Sequence, residues 1–278
     1  MTITVLVENT SACPNRIGAQ HGLSLYIETL GKKILFDMGS DDLFARNAQE
    51  LGVDLAEVDY AIISHGHWDH GGGIETFLSL NEKAPIYIRR TAFGPYYSQR
   101  EDGGHHWAGL DQSFKAHERI IFTDSSLTLA DGLTLFGDVA DLHGLPRGNK
   151  TLFEKIGDAY AVDSFGHEQY LLIEEGEQAI LITGCSHRGI ANILHAFEQR
   201  WKRRPSVVLG GFHLMGYTKA DADELGRIAS YLQDTGSTFY TCHCTGEEPY
   251  QHLKEILGVQ LHWASGGQHY TFEGESSL

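Results

Sequence analysis

The chain has 278 residues, 41% of them hydrophobic and 21% charged, which is enough apolar material for the core of one large domain. Its formal net charge is −16 with histidine neutral, so its surface should repel nucleic acid and anionic membranes, and neither is expected as a partner. An anionic substrate would need local positive charge, most simply from bound metal.

The first residues, Met1-Thr2-Ile3-Thr4-Val5, lack the basic and long apolar stretches of a secretory leader. No apolar run approaches the ~18 residues of a membrane span. Cys13, Cys185, Cys242 and Cys244 show no disulfide framework, so a cytoplasmic location is expected.

Residues 3–7, 23–27 and 33–36 alternate or run apolar and predict strands, with Gly31-Lys32 as a hairpin turn. Residues 41–51 have helical spacing and stop at Gly52. The apolar run Tyr60-Ala61-Ile62-Ile63 predicts a buried strand. It leads into Ser64-His65-Gly66-His67-Trp68-Asp69-His70-Gly71-Gly72-Gly73, which its glycines mark as a loop. A helix over 74–80 and a strand over 85–89 follow. From residue 91 to about 150 the pattern weakens into Gly- and aromatic-rich stretches around strands near 119–123 and 133–136. That stretch predicts a lid or substrate wall. The C-terminal half predicts strands at 170–173, 179–182, 206–209, 238–241, 259–263 and 268–272, with helices at 190–200, 221–233 and 249–257. Strand-rich blocks flanked by helices imply an α/β fold, an αββα sandwich of two packed mixed β-sheets, as a single domain over 1–278 with an insertion at about 91–150.

The loop after the strand at 60–63 packs three histidines and an aspartate into six residues. Imidazole and carboxylate are ligands for zinc and similar divalent ions. His65 and His67 can face one centre, and Asp69 and His70 a second, the layout of a two-metal site. Three later strands also end in metal-ligating residues beside glycine: Thr183-Gly184-Cys185-Ser186-His187, Gly210-Gly211-Phe212-His213-Leu214 and Cys242-His243-Cys244-Thr245-Gly246. Donors at the ends of several strands converge where the sheets open. His187 competes with His167, in Gly166-His167-Glu168, to complete the first metal's set, and the strand-end position favours His187. Cys185 stands as a thiolate donor or as its close neighbour. The expected metal ligands are therefore His65, His67, Asp69, His70, His187, His243 and Cys185, around two divalent ions. Zinc suits this His- and Cys-containing set, and iron or manganese nearly as well.

His-x-His-x-Asp-His after an apolar strand resembles the metal signature of the metallo-β-lactamase superfamily. Together with Gln20-His21-Gly22-Leu23-Ser24, Ile34-Leu35-Phe36-Asp37-Met38-Gly39, Gly184-Cys185-Ser186-His187, Gly211-Phe212-His213-Leu214 and His243-Cys244-Thr245-Gly246, it is similar to one branch. That branch is the 7,8-dihydropterin-6-methyl-4-(β-D-ribofuranosyl)aminobenzene-5′-phosphate synthase-like group. The branch usually has an acidic pair where this chain has His167-Glu168. The resemblance implies a dinuclear metal enzyme acting on a phosphorylated or pterin-like small molecule, by metal-activated water or metal-assisted displacement. The alternatives are a general metallo-hydrolase of esters, lactones or phosphodiesters, and a non-catalytic metal-binding sensor. Asp69 and His213 are the expected catalytic residues, His21 a further proton-transfer or substrate contact, and Asp37 an orienting carboxylate. Arg147 and Arg188 are candidates to hold an anionic group.

Overall fold

The computed structural model describes residues 1–273. Strands β1 (Thr2–Val7), β2 (Ser24–Thr29), β3 (Lys32–Phe36), β4 (Tyr60–Ile62) and β5 (Ile86–Arg89) build most of a first sheet. Strands β6 (Tyr96–Gln99) and β7 (His105–Trp107) leave it, and β8 (Ile120–Thr123) returns as its edge. A second sheet begins with β9 (Ser126–Ala130) and β10 (Leu133–Phe136). The chain then detours through β11 (Leu152–Ile156) and β12 (Ala159–Val162), which join β6 and β7 in a third, four-stranded sheet. β13 (Tyr170–Glu175), β14 (Gln178–Ile182), β15 (Val207–Leu209), β16 (Thr238–Thr241) and β17 (Leu261–Trp263) complete the second sheet, and β18 (His269–Thr271) pairs back on β1. Both large sheets have seven strands among the described residues and mix parallel with antiparallel pairs.

The sequence alternates because each large sheet is covered on both faces. In β3, Ile34 and Phe36 enter the core between the sheets, while Leu35 faces helices α1 (Leu43–Leu51) and α3 (Ile74–Leu80). In β14, Ile180 and Ile182 enter that same core. Ala179 and Leu181 face α4 (Ile190–Trp201), α5 (Ala222–Thr235) and α6 (Glu247–Leu257). Successive residues point to opposite faces, so strands buried on both sides read as continuous apolar runs. Truncating a fully buried position such as Leu35 or Leu181 to alanine should cost about 2–5 kcal/mol. These layers are the expected αββα sandwich.

The expected insertion at about 91–150 is divided among three sheets. β8 belongs to the first sheet, β9 and β10 to the second, and only β6 and β7 leave the sandwich, to pair with strands that extend as far as Val162. β6 docks beside the metal-binding loop: Ala108 N donates to Tyr96 O, and Trp68 N donates to Ala108 O.

β3 and β4 are parallel, as are β14, β15 and β16. β1 and the start of β13 come to the same edge through antiparallel pairings. One edge of the sandwich therefore gathers the segments after β1, β3, β4, β14, β15 and β16 and the segment before β13.

Candidate metal centre

The segment after β4 can pass close to its neighbours because Gly66 has no side chain. A Cβ there would lie 2.3 Å from the Ala92 carbonyl oxygen. His67 is extended, and Trp68–Gly71 then forms a helical turn, α2, rather than the expected open loop. His67 precedes the turn, and Asp69 and His70 lie within it; the donors fall into two adjoining groups, with the His65 and His70 rings 4.2 Å apart.

In the first group, His65 Nε2 lies 3.1 Å from His67 Nδ1 and 3.3 Å from His187 Nε2. In the second, His70 Nε2 lies 3.2 Å from His243 Nε2, and Asp69 Oδ2 lies 3.3 Å from His243 Nε2 and 3.6 Å from His70 Nε2. Cys185 Sγ stands between them. It is 3.2 Å from His70 Nε2, and it falls within 4.8 Å of the donor atoms of both His65–His187 and His70–His243. The backbone kink at Ser186, with φ of 61°, lets Cys185 and His187 both face inward. The structure therefore brings both residues to the cluster.

The rings are oriented from behind. Asp37 takes the Nδ1 proton of His70 at 2.6 Å and also accepts from Ser64 N and Ser64 Oγ, both at 2.7 Å. Ser64 Oγ in turn accepts from His65 Nδ1 at 2.8 Å. His187 Nδ1 meets Asn149 Oδ1 at 3.2 Å, and His243 Nδ1 meets Asn9 Oδ1 at 2.9 Å. With the Nδ1 protons of His65 and His187 committed, their Nε2 lone pairs face each other at 3.3 Å. That arrangement is repulsive unless a cation lies between them. Tetrahedral zinc with nitrogen bonds of ~2.0–2.1 Å holds its donors roughly 3.3 Å apart, close to the separations found here. The donor set fits divalent metal.

Two further carboxylates hold the second-sheet loops by their backbone. Glu168 accepts from His187 N at 2.7 Å, Arg188 N at 2.9 Å and Tyr170 Oη at 2.6 Å. Glu8 accepts from His243 N at 2.7 Å and from Thr10 N at 2.6 Å. Sequence reasoning found Asp37 but missed Asn9, Glu8, Asn149 and Ser64. Asn9 and Glu8 lie more than two hundred residues from His243, and no local pattern announces them.

The electrostatics differ between the two groups. Burial, with help from neighbouring imidazoles, lowers His65 and His187 well below the usual histidine value, and burial takes His67 to about 3. These rings are neutral and ready to ligate. Burial also opposes charge on His70, but Asp37 and Asp69 outweigh it and raise that ring to about 9. Burial would raise Asp69 too, yet His70 and hydrogen bonds from His21 and His243 hold its carboxyl well below the ordinary range. Burial pushes the Cys185 thiol up, so a metal would have to displace its proton.

His167 does not join the donors. Its Nδ1 accepts from Gly66 N at 2.9 Å, and its Nε2 donates to Asp163 at 2.9 Å, so both nitrogens serve to fix the metal-binding loop. His21 is half-exposed, with Nε2 3.2 Å from Asp69 Oδ2. The ring of His213 lies 4.1 Å from that of His187, and both its nitrogens are shut off from solvent without a hydrogen-bond partner. Arg188 spends its guanidinium on the carbonyls of Val139 and Ser164, and Arg147 on Asp221 and Gly216. Neither arginine is free to hold a substrate anion, contrary to the expectation for them. Cys242 lies in the core between the sheets.

The family model described as the metallo-β-lactamase superfamily matches residues 17–187, a span that includes both the metal-binding loop and Cys185-Ser186-His187. The chain is 29% identical over 274 residues to uncharacterized protein MJ0448 of Methanocaldococcus jannaschii, covering 92% of this chain and 100% of that one. It is 25% identical over 259 residues to the 7,8-dihydropterin-6-methyl-4-(β-D-ribofuranosyl)-aminobenzene-5′-phosphate synthase of the same organism, covering 88% and 87%. Among solved structures it superposes on Tm1679, described as a metal-dependent hydrolase of the β-lactamase superfamily, with a TM-score of 0.85 and 30% identity, covering 99% and 100%.

Proposed function

This chain belongs to the metallo-β-lactamase superfamily, and from that premise we propose that it is a dinuclear metal-dependent enzyme acting on a phosphorylated or pterin-like small molecule. The observation that carries the proposal is the pair of adjoining donor groups with Cys185 Sγ between them. His65, His67 and His187 would hold one ion, Asp69, His70 and His243 the other, with Cys185 reaching either. Bound there, divalent metals supply Lewis acidity and activated water; zinc suits the nitrogen and sulfur donors, and iron or manganese are the alternatives.

The chain's own residues complete the chemistry. Asp69 stays ionised, and its contact with the half-exposed His21 gives a proton a route between the centre and solvent. The Asp69 hydrogen bond is the largest influence on His21 and raises its pKa. His213 packs on the ring of His187 with both nitrogens buried, so it would meet a substrate oxygen only after the surrounding loops shift. With Arg147 and Arg188 committed elsewhere, an anionic substrate would rely on the metals.

The synthase relative supports the phosphorylated or pterin-like substrate class. The likeness to Tm1679, a metal-dependent hydrolase of the β-lactamase superfamily, favours a second reading, water attack on an ester, lactone or phosphodiester. Metal analysis of purified protein, followed by turnover assays on a pterin diphosphate with an aminobenzene riboside phosphate and on generic phosphodiester, lactone and β-lactam substrates, separates them. About two metals per chain and turnover of the first pair support the proposal. Turnover only of generic substrates favours the hydrolase. Two metals with no turnover of any substrate would point to a metal-binding sensor, and less than half a metal per chain would remove the premise.

A further inference from the structure

We propose that the cavity between residues 143–146 and helices α4 and α5 is a second binding site, separate from the metal centre, for a small amphipathic anion. The cavity measures about 480 Å³, within the ~300–1,000 Å³ usual for small-molecule sites. Its apolar walls include Leu145, Ile190, Phe212, Leu214 and Ile228. Phe212 and Leu214 belong to the core on the helix side of the second sheet, whereas His213 between them packs on the ring of His187. The cavity and the metal centre thus lie on opposite sides of one stretch of backbone.

The walls are pinned in place. Buried Asn192 accepts from the backbone N–H groups of Leu142 and His143 at 2.8 and 2.7 Å, and donates to the carbonyls of Gly144 and Arg188 at 3.0 and 2.8 Å. Arg147 N donates to Tyr217 Oη at 2.9 Å. A concave apolar surface held open by buried hydrogen bonds does not collapse when empty, which is the usual condition of a ligand pocket.

Charge decides the class of ligand. Of the two oppositely charged side chains at the cavity, Glu224 is engaged by Tyr217 Oη at 2.9 Å. Arg227 has no carboxylate within 4.0 Å among the described residues, and its Nε donates only to Asp223 O at 3.3 Å. An uncommitted guanidinium at a cavity also lined by Tyr217 and Tyr231 suits a ring-containing body with one carboxylate, sulfonate or phosphate.

The test uses the metal-loaded protein and two probes, the anion 8-anilinonaphthalene-1-sulfonate and its neutral analogue N-phenyl-1-naphthylamine, read by fluorescence titration. The wild type should bind each probe saturably at one site. Ala191→Phe, which fills the cavity from α4, should weaken both about tenfold or more, the effect of losing roughly 1.4 kcal/mol of contact. Arg227→Gln should weaken the anion about fivefold, as expected for one partly solvated ion pair, and leave the neutral probe unchanged. Unsaturable binding by the wild type, or unchanged affinity in Ala191→Phe, overturns the site, and equal loss of both probes in Arg227→Gln overturns its anionic preference. If Ala191→Phe does not fold, the surface variant Arg227→Gln still decides the outcome. Zinc content is measured alongside, so failure here is distinct from failure of the metal centre.

Discussion

The two sides of the metal centre solve one problem by different means. On the first sheet, four donors come from six consecutive residues, and Asp37 with Ser64 fixes two of their rings at once. On the second sheet, Cys185 and His187 come from the end of β14 and His243 from the end of β16. Each loop has its own support: Glu168 and Asn149 behind His187, and Glu8 and Asn9 behind His243. The first side is concentrated, so one lesion should disable it. The second is distributed, so a lesion there should affect one ion more than the other.

The largest expected effect follows from the concentrated side. Asp37→Ala leaves the Ser64 N–H and the His70 ring proton buried without their carboxylate, and it should destabilise the fold by about 3–5 kcal/mol. Glu8→Ala or Glu168→Ala each releases one loop and should cost about 1–3 kcal/mol. Denaturant melts of the metal-free proteins would show the ranking, and equal losses for all three would break the comparison.

A smaller effect sharpens it. Removing the partner behind a metal-ligating histidine typically lowers metal affinity about 10–100-fold. Asn149→Ala should therefore weaken the ion held with His187, and Asn9→Ala the ion held with His243, each leaving the other nearly unchanged. Competition with a chromophoric chelator resolves the two ions, and a variant that weakened both equally would show that the centre responds as one unit.

The smallest effect is on pH. His70 is raised to about 9 in the metal-free protein. Its protonated form stabilises the fold fully below the unfolded imidazole value of ~6.5, and that contribution is lost as pH rises through the folded value. Metal takes the place of the proton. Metal binding at neutral pH should therefore release a proton from this ring, and affinity should climb as pH rises toward about 9. Calorimetry in buffers of different ionisation enthalpy measures the release, and none at neutral pH would contradict the charge assigned to His70.

The sequence displayed the concentrated side well, because its donors are neighbours and the strand before them is a plain apolar run. It also showed the strand-end positions of Cys185, His187 and His243. It left His167 in competition with His187, since the contacts that occupy His167, with Gly66 N and Asp163, exist only in the folded chain. The supports behind the second-sheet donors were invisible for the same reason. The four-stranded sheet escaped notice because its strands are short and partly exposed. β12 is exposed throughout, Ala159–Val162, so it lacks the alternation that marks a strand against a core. α2 was read as a loop because its four residues are too few to show a helical period.

Two ions flanking Cys185 are the central expectation. Crystals grown with zinc and measured at the zinc absorption edge test this directly. The prediction is two anomalous peaks in each chain, one among His65, His67 and His187 and one among Asp69, His70 and His243, with the Cys185 sulfur between them. A single peak, or peaks away from these side chains, would contradict it.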